Sequence, residues 1–195
     1  MIGFACPSCR KKHILPDALA GRTARCGCGT TMSIPEAGSK LELEPGSGGA
    51  WRYRRLRADA DELASRFGST RPIRLVQRHG EPAESFTLVI DLATGPVRLR
   101  LDLTGDYPRV APRCVALGTV FHPNIDRAGV VCVGDHWTAG ERLSDLVIRI
   151  AEMLAFQSYN LRSPLNAEAA MWADLNLNKL PLDSRDFGML CPLNA

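Results

Sequence analysis

The sequence lacks the features that would place it in a membrane or direct it out of the cell. No apolar run approaches the roughly 20 residues needed to cross a bilayer. The start, Met1-Ile2-Gly3-Phe4-Ala5-Cys6, has no basic region followed by an apolar stretch, so a secretory leader is not expected. Aromatic residues are scarce at 6%, no long basic run occurs, and the formal net charge is only +3. This composition argues against a nucleic-acid surface built from basic and stacking side chains. A disulfide framework is also missing: four of the seven cysteines fall in two tight pairs, which points to reduced thiols and a metal. A soluble cytoplasmic protein with no membrane partner is the expectation.

What is present suffices for a buried core. Hydrophobic residues make up 45% of 195 positions, room for one ordinary domain and a small extra module. Residues 1–36 read as that module, with Cys6-Pro7-Ser8-Cys9, an arm from Leu15-Pro16 to Gly21, then Cys26-Gly27-Cys28-Gly29 and Ser33-Ile34-Pro35. So short a segment cannot bury enough apolar surface to fold alone. A Zn2+ ion held tetrahedrally by the thiolates of Cys6, Cys9, Cys26 and Cys28 would supply the missing stability. Four protein ligands leave no open position, so the metal is expected to be structural. The segment resembles zinc-ribbon modules, although its second pair is Cys-x-Cys where many ribbons have Cys-x-x-Cys, and His13 is an alternative ligand. Such a module is either a folding staple or a docking element. Residues 37–50, rich in Gly, Ser and Pro, have the composition of a flexible linker.

Residues 51–195 form the main domain. Leu56, Ala60, Leu63, Ala64 and Phe67 recur at helical spacing, and Gly68 is a stop signal. Arg52, Arg54, Arg55 and Arg57 line this helix, as a solvated face or a partner surface. Four strands follow, at Ile73–Gln77, Ser85–Leu92, Val97–Leu103 and Arg113–Leu117, separated by Gly- and Pro-containing turns. Connections this short specify an antiparallel meander. Val97, Leu99, Leu101 and Leu103 alternate with Arg98, Arg100 and Asp102, as a sheet covered on one face requires. Cys114 is expected in the core. A second helix is expected over Leu143–Phe156, its apolar stripe on the sheet. A third would open at Ser163-Pro164 and run through Glu168 to Trp172, proline being favourable in a first turn. The tail encodes no long amphipathic helix, and Cys191 near its end carries no assigned role.

The chemistry concentrates between these elements. His122-Pro123-Asn124 leads through a turn-prone Ile125-Asp126-Arg127-Ala128-Gly129 to Cys132, eight residues after the asparagine, and on to Asp135-His136-Trp137. A thiolate is both a good nucleophile and a good leaving group, which suits a covalent acyl carrier. An amide beside it can donate to the oxyanion on an attacked carbonyl. Taken singly, each residue is commonplace: a lone cysteine is more often a core residue, and a lone histidine more often structural.

In combination the segment resembles the active site of ubiquitin-conjugating enzymes, which place the thioester cysteine eight residues after the Asn of a His-Pro-Asn tripeptide. Tyr107-Pro108-Arg109-Val110-Ala111-Pro112 resembles that family's Tyr-Pro-x-x-x-Pro loop. Ser163-Pro164-Leu165-Asn166-Ala167-Glu168-Ala169-Ala170 resembles its Asp-Pro-Leu-Asn-x-Glu-x-Ala segment, and Trp137 falls near the tryptophan after the cysteine. The resemblance implies an α+β domain with a four-stranded antiparallel meander flanked by helices, preceded here by the ribbon. It implies that Cys132 accepts the C-terminus of a ubiquitin-like protein from an activating enzyme and passes it to an amine on a target protein. Asn124 would support the oxyanion or hold the loop, two roles the sequence does not separate, and His122 would buttress the turn.

The departures carry information too. Ser163 stands where many family members have an aspartate that aids the incoming lysine, and Asp135 or His136 is the nearest substitute in sequence. Arg109 and Thr138-Ala139-Gly140 occupy the places that RING ligases usually contact, so a non-standard ligase, or none, is expected. With the fused ribbon, this suggests a divergent conjugation system of bacterial type. The rival readings are a non-catalytic ubiquitin-like-protein-binding module of the same fold, a ribbon-dominated nucleic-acid adaptor, and an unrelated cysteine hydrolase, for which no base and orienting acid stand out.

Overall fold

The computed structural model describes residues 2–6, 12–27, 29–34, 46–68, 72–134 and 137–191. The chain divides into two compact units, Met1–Trp51 and Arg52–Ala195.

In the first unit, β1 (Ile2–Ala5) pairs antiparallel with β2 (Lys12–Leu15), and β3 (Thr23–Arg25) with β4 (Thr31–Ser33). A single 3-10 turn, Asp17–Leu19, follows Pro16. The second hairpin closes at Gly29, whose φ of +92° suits a residue without Cβ and whose N–H donates to the Cys26 carbonyl at 2.8 Å. The described core is small: Ile2, Cys6, Cys26, Met32 and Ile34, with Leu15, Leu19, Ala20 and Ala24 packed against it.

Helix α1 (Gly46–Phe67), which belongs to the second unit from Arg52 onward, begins within the expected linker: residues 46–50 are helical, while 37–45 lie outside the described residues. A helix once nucleated extends at low cost per residue, so a preceding Gly-rich stretch can be drawn into it. Leu56, Ala60, Leu63 and Phe67 form its buried stripe. The helix stops at Gly68, where an added Cβ would meet the Ala64 carbonyl oxygen at 2.4 Å.

The sheet is an antiparallel meander in the order β5 (Ile73–His79), β6 (Ser85–Leu92), β7 (Gly95–Asp102), β8 (Arg113–Leu117). Leu88 pairs with Leu99, and Leu99 with Ala116, so the apolar positions of three strands share one face. That face shares a single core with α1 and with α2 (Leu143–Leu154), which buries Leu143, Leu146, Val147, Ile150, Ala151 and Leu154. Each of the Leu, Val and Ile side chains contributes roughly 1.5–3 kcal/mol on burial. Cys114 is in this core, where burial pushes its thiol well above the usual range.

Strands β5 and β7 reach beyond the expected bounds, to His79 and back to Gly95, and two helix boundaries also differ from the sequence reading. Helix α2 ends at Leu154, and its C-terminus is closed by bonds from Phe156 N–H to the Met153 carbonyl (3.0 Å) and from Gln157 N–H to the Glu152 carbonyl (2.9 Å). Phe156 therefore takes the left-handed position, φ +57°, that glycine usually fills. Helix α3 spans Ala167–Leu175, not Ser163 onward, because the Asn166 side chain accepts from Ala169 N–H (3.1 Å) and caps it. Pro164 lies before the helix.

The tail folds back into the core. Helix α4 (Phe187–Leu190) buries Phe187, and Cys191 behind it is fully buried. Asp183 accepts from Ala93 N–H (2.9 Å) and pairs with Arg185, whose guanidinium holds this carboxyl down at about 2. The buried Arg66 guanidinium donates to the Cys191 carbonyl (2.7 Å), Ser144 Oγ (2.8 Å) and Asp145 Oδ1 (2.6 Å). Among the described residues, no helix is long and apolar enough to cross a membrane.

Candidate active site

The eight-residue spacing between Asn124 and Cys132 is the length of a closed hairpin. Asp126 Oδ1 accepts from Ala128 N–H and Val130 N–H, both at 2.8 Å, which folds the chain back on itself. Gly129 completes the reversal at φ +82°, and an added Cβ there would meet the Ala116 carbonyl oxygen at 2.4 Å. Ile125 then bridges Val131, and Cys132 N–H donates to the Asn124 carbonyl at 2.9 Å. The hairpin is fastened to β8 by Val131 N–H to the Cys114 carbonyl (2.9 Å) and Ala116 N–H to the Gly129 carbonyl (2.8 Å). A deletion or insertion in the turn would break this register, so the spacing follows from backbone pairing.

His122 is 1% exposed. Its Nδ1 accepts from Asn124 N–H at 3.1 Å, and its ring packs on Phe156 with centroids 4.5 Å apart. Burial pushes the imidazole down to about 4, the Met153 carbonyl opposing that shift only in part. The ring is therefore neutral at pH 7, with the Nδ1 lone pair already engaged, and it braces the turn. The Pro123 carbonyl accepts from Leu165 N–H (2.9 Å) and Asn166 N–H (3.0 Å), joining the tripeptide to the Ser-Pro-Leu-Asn segment.

The Asn124 amide is also engaged. Its Nδ2 donates to the Asn160 carbonyl and its Oδ1 accepts from Asn160 N–H, both at 2.8 Å. This reciprocal pair ties the loop after α2 to the hairpin carrying Cys132. One Nδ2 hydrogen is left over. The geometry thus separates what the sequence could not: the amide's oxygen and one of its two N–H donors hold the loop.

Cys132, partly exposed, opens onto a groove of about 270 Å³. Val133, Leu146, Ile150 and Met153 give it an apolar floor, Asn124, Ser158, Tyr159 and Asn160 a polar rim, and Arg149 a positive charge. Tyr159 packs edge-on against Phe156, centroids 5.3 Å apart. Ser163 is exposed, outside the groove lining, with its N–H 3.3 Å from Asn160 Oδ1. Asp135 and His136 lie outside the described residues.

The far side of the cysteine loop is clamped to α1. The Arg55 guanidinium donates to the Asp59 carboxylate (2.8 Å), Tyr107 Oη (3.1 Å) and the carbonyls of Ala139 and Glu141 (both 2.7 Å). Tyr107 Oη donates in turn to Asp59 at 2.6 Å, and Trp137 Nε1 donates to the Pro108 carbonyl at 2.7 Å. Burial and the neighbouring Asp59 carboxylate push the Tyr107 phenol far above its usual range. The arginine face of α1 is therefore divided. Arg52 and Arg55 bind within the domain, while Arg54 and Arg57 are exposed.

Of the expected metal ligands, Cys6 and Cys26 are buried at 1% and 3% exposure in the same small cluster of the first unit, one from each cysteine pair. Cys9 and Cys28 lie outside the described residues.

The residues missed from sequence are Asn160, Arg149, Tyr159 and Asp59, while Arg55 was read only as part of an arginine face. Of these, Asp59 alone left a trace there, as the partner in an i,i+4 Arg–Asp pair on a helix. Asn160 and Tyr159 sit in a loop, where no periodicity marks them.

The antiparallel four-stranded meander with helices packed on it is a ubiquitin-conjugating-enzyme-like α+β fold. Residues 93–179 match the family model for ubiquitin-conjugating enzyme. The chain is 32% identical over 94 residues to the NEDD8-conjugating enzyme ubc12 of Schizosaccharomyces pombe, covering 47% of this chain and 51% of that one. It is 33% identical over 82 residues to ubiquitin-conjugating enzyme E2 N of Drosophila melanogaster, covering 40% and 53%. The chain thus spans about half the length of the curated relatives it matches. A solved structure named "Novel Ubiquitin-Conjugating Enzyme" superposes with a TM-score of 0.56 at 22% identity, covering 69% of this chain and 93% of that one, which is a likeness of fold.

Proposed function

We propose that the protein is a conjugating enzyme for a ubiquitin-like protein, with Cys132 as the acyl carrier. The observation that carries this reading is the partly exposed Cys132, opening on a groove and bonded through its own N–H to the Asn124 carbonyl at 2.9 Å. In loading, the Cys132 thiolate attacks the thioester carbonyl on an activating enzyme. The tetrahedral oxyanion collapses and expels that enzyme's thiolate, which takes up a proton. In discharge, a target amine attacks the new thioester, Cys132 leaves as thiolate, and the amine's surplus proton passes to solvent or a nearby base. Asn124 acts mainly by holding the groove wall, with its second Nδ2 hydrogen available to the oxyanion. His122 supports the turn. Ser163 supplies no carboxylate, and Asp135 is the candidate in its place.

Partners are the modifier, its activating enzyme, a target protein and a ligase that does not need the usual aromatic contact. Arg109, exposed and 3.1 Å from Asp106, stands in that aromatic's position. The first unit is read as a zinc module with Cys6, Cys9, Cys26 and Cys28 as ligands, where the ion would serve to hold the two hairpins together. Work in the cytoplasm fits reduced cysteines.

The test is thioester charging with ubiquitin and with NEDD8, each supplied by its own activating enzyme, on the wild type, Cys132→Ala and Cys132→Ser. A reductant-sensitive adduct in the wild type, absent in the alanine variant and reductant-resistant in the serine variant, supports the carrier role. Binding of either modifier with no adduct points to a non-catalytic module instead.

A further inference from the structure

Helix α3 is apolar on both sides. It turns its small residues inward: Ala169, Ala170 and Ala173 are buried, which lets the helix backbone lie close to the domain. The large residues face the other way. Met171 is 62% exposed, Leu175 74% and Leu177, just past the helix, 61%. Trp172, 38% exposed, meets Phe121, 51% exposed, edge-on with ring centroids 6.2 Å apart. The helix repeat sets Met171 and Trp172 one turn from Leu175, so these side chains adjoin. A helix apolar all round is normally covered all round. The five residues leave on the order of 600 Å² of apolar surface in one neighbourhood, the upper end of what a monomer exposes.

We propose that two copies of the chain pair through this face, α3 against α3 across a two-fold axis. Area and charge both select a second copy. Covering the patch on two copies removes roughly 1,200 Å² from water, which reaches the lower bound for stable specific interfaces. The charges bordering the patch are self-complementary. Glu168 lies one turn ahead of Met171 and Trp172, and Lys179 lies beyond the C-terminal end of the helix; neither has an ion pair among the described residues. A two-fold axis crossing the helix between them lays the two helices antiparallel, so Glu168 faces the partner's Lys179 and the contact is made twice. A parallel pairing would set like charges together, and a partner of one charge sign would match one end and oppose the other. The inference does not rest on the carrier reading.

The experiment is sedimentation equilibrium of the full chain from about 1 to 200 µM, with reductant present so that cysteine cross-links do not contribute. The wild type should fit a monomer–dimer equilibrium with a dissociation constant of about 10 µM or tighter. Met171→Glu and Leu175→Glu, at positions the core does not use, should each weaken the dimer about tenfold or more while leaving the urea unfolding midpoint unchanged. Glu168→Lys and Lys179→Glu should each weaken it about threefold or more, and the double variant that exchanges the two charges should return to the wild-type constant. A wild type that stays monomeric overturns the proposal, whether another segment of the chain or a different protein then covers the face. A dimer left intact by Leu175→Glu overturns it as well. A dimer weakened by the glutamate variants but not restored by the charge exchange overturns the antiparallel pairing.

Discussion

Replacing Asn124 with alanine separates the two roles an active-site asparagine can play. The side chain makes two 2.8 Å hydrogen bonds to the backbone of Asn160, and the variant leaves both Asn160 groups without that partner. At about 1 kcal/mol for each bond lost, with some further cost for partly buried groups, the destabilisation should be about 2–3 kcal/mol. If holding the loop is the main task, discharge of a preloaded thioester to excess hydroxylamine falls in proportion to the loss of the ordered loop. A penalty of 2 kcal/mol corresponds to roughly a 30-fold decrease. Asn124→Asp keeps an acceptor for Asn160 N–H but faces a carboxylate toward the Asn160 carbonyl, so it should lose at least as much stability. The assays are urea unfolding followed by fluorescence and single-turnover discharge measured on gels. A variant that unfolds at the wild-type urea midpoint yet discharges a hundred times more slowly would refute this reasoning, because the amide would then act on the reacting carbonyl and not on the loop.

His122 makes stability depend on pH. Its folded pKa, about 4, lies below the unfolded value of 6.5, so the unfolded chain binds the extra proton; stability is intact above pH 6.5 and is lost as pH falls from there toward 4. The loss at pH 5 should be about 2 kcal/mol, seen as a lower urea midpoint than at pH 7, and His122→Phe should flatten that dependence. Phe156→Gly relieves a left-handed backbone at about 1 kcal/mol but removes the ring between His122 and Tyr159, whose burial is worth more, so the net effect should be a lower melting temperature. Protein purified without chelator should contain about one zinc per chain by elemental analysis. Cys6→Ser or Cys26→Ser should abolish it while leaving the melting of the Arg52–Ala195 unit unchanged. A metal content unaffected by either substitution would remove the ribbon reading.

Local information in the sequence was enough for the elements. Alternation along Val97–Leu103 fixes the covered face of a strand because side chains on a pleated backbone alternate. Apolar recurrence from Leu143 to Leu154 fixes a helix and its buried stripe. Short Gly- and Pro-bearing connections leave an antiparallel meander as the simple arrangement, and the order β5-β6-β7-β8 follows. The distance from Asn124 to Cys132 was legible as well, being set by a local hairpin whose Asp126 and Gly129 are ordinary turn residues. Pro164 misled because proline suits a first turn in isolation, whereas Asn166 makes the cap.

What only the tertiary structure decided are the contacts between segments distant in the chain. Asn160 meets Asn124 across 36 positions, and Arg55 reaches the Ala139 and Glu141 carbonyls across 84 and 86. The inward course of the tail depends on Asp183 finding Ala93 N–H and on Arg66 finding the Cys191 carbonyl. None of these pairings has a period or a spacing, because each is fixed by where whole elements come to rest when their apolar faces close on one core. The sequence by itself therefore determined the four-stranded meander, the helices on either side of it and where Cys132 sits after Asn124. The packing of those elements decided that the Asn124 amide holds a loop, that His122 is buried and neutral, and that Arg149 from α2 lines the groove paired with Glu141.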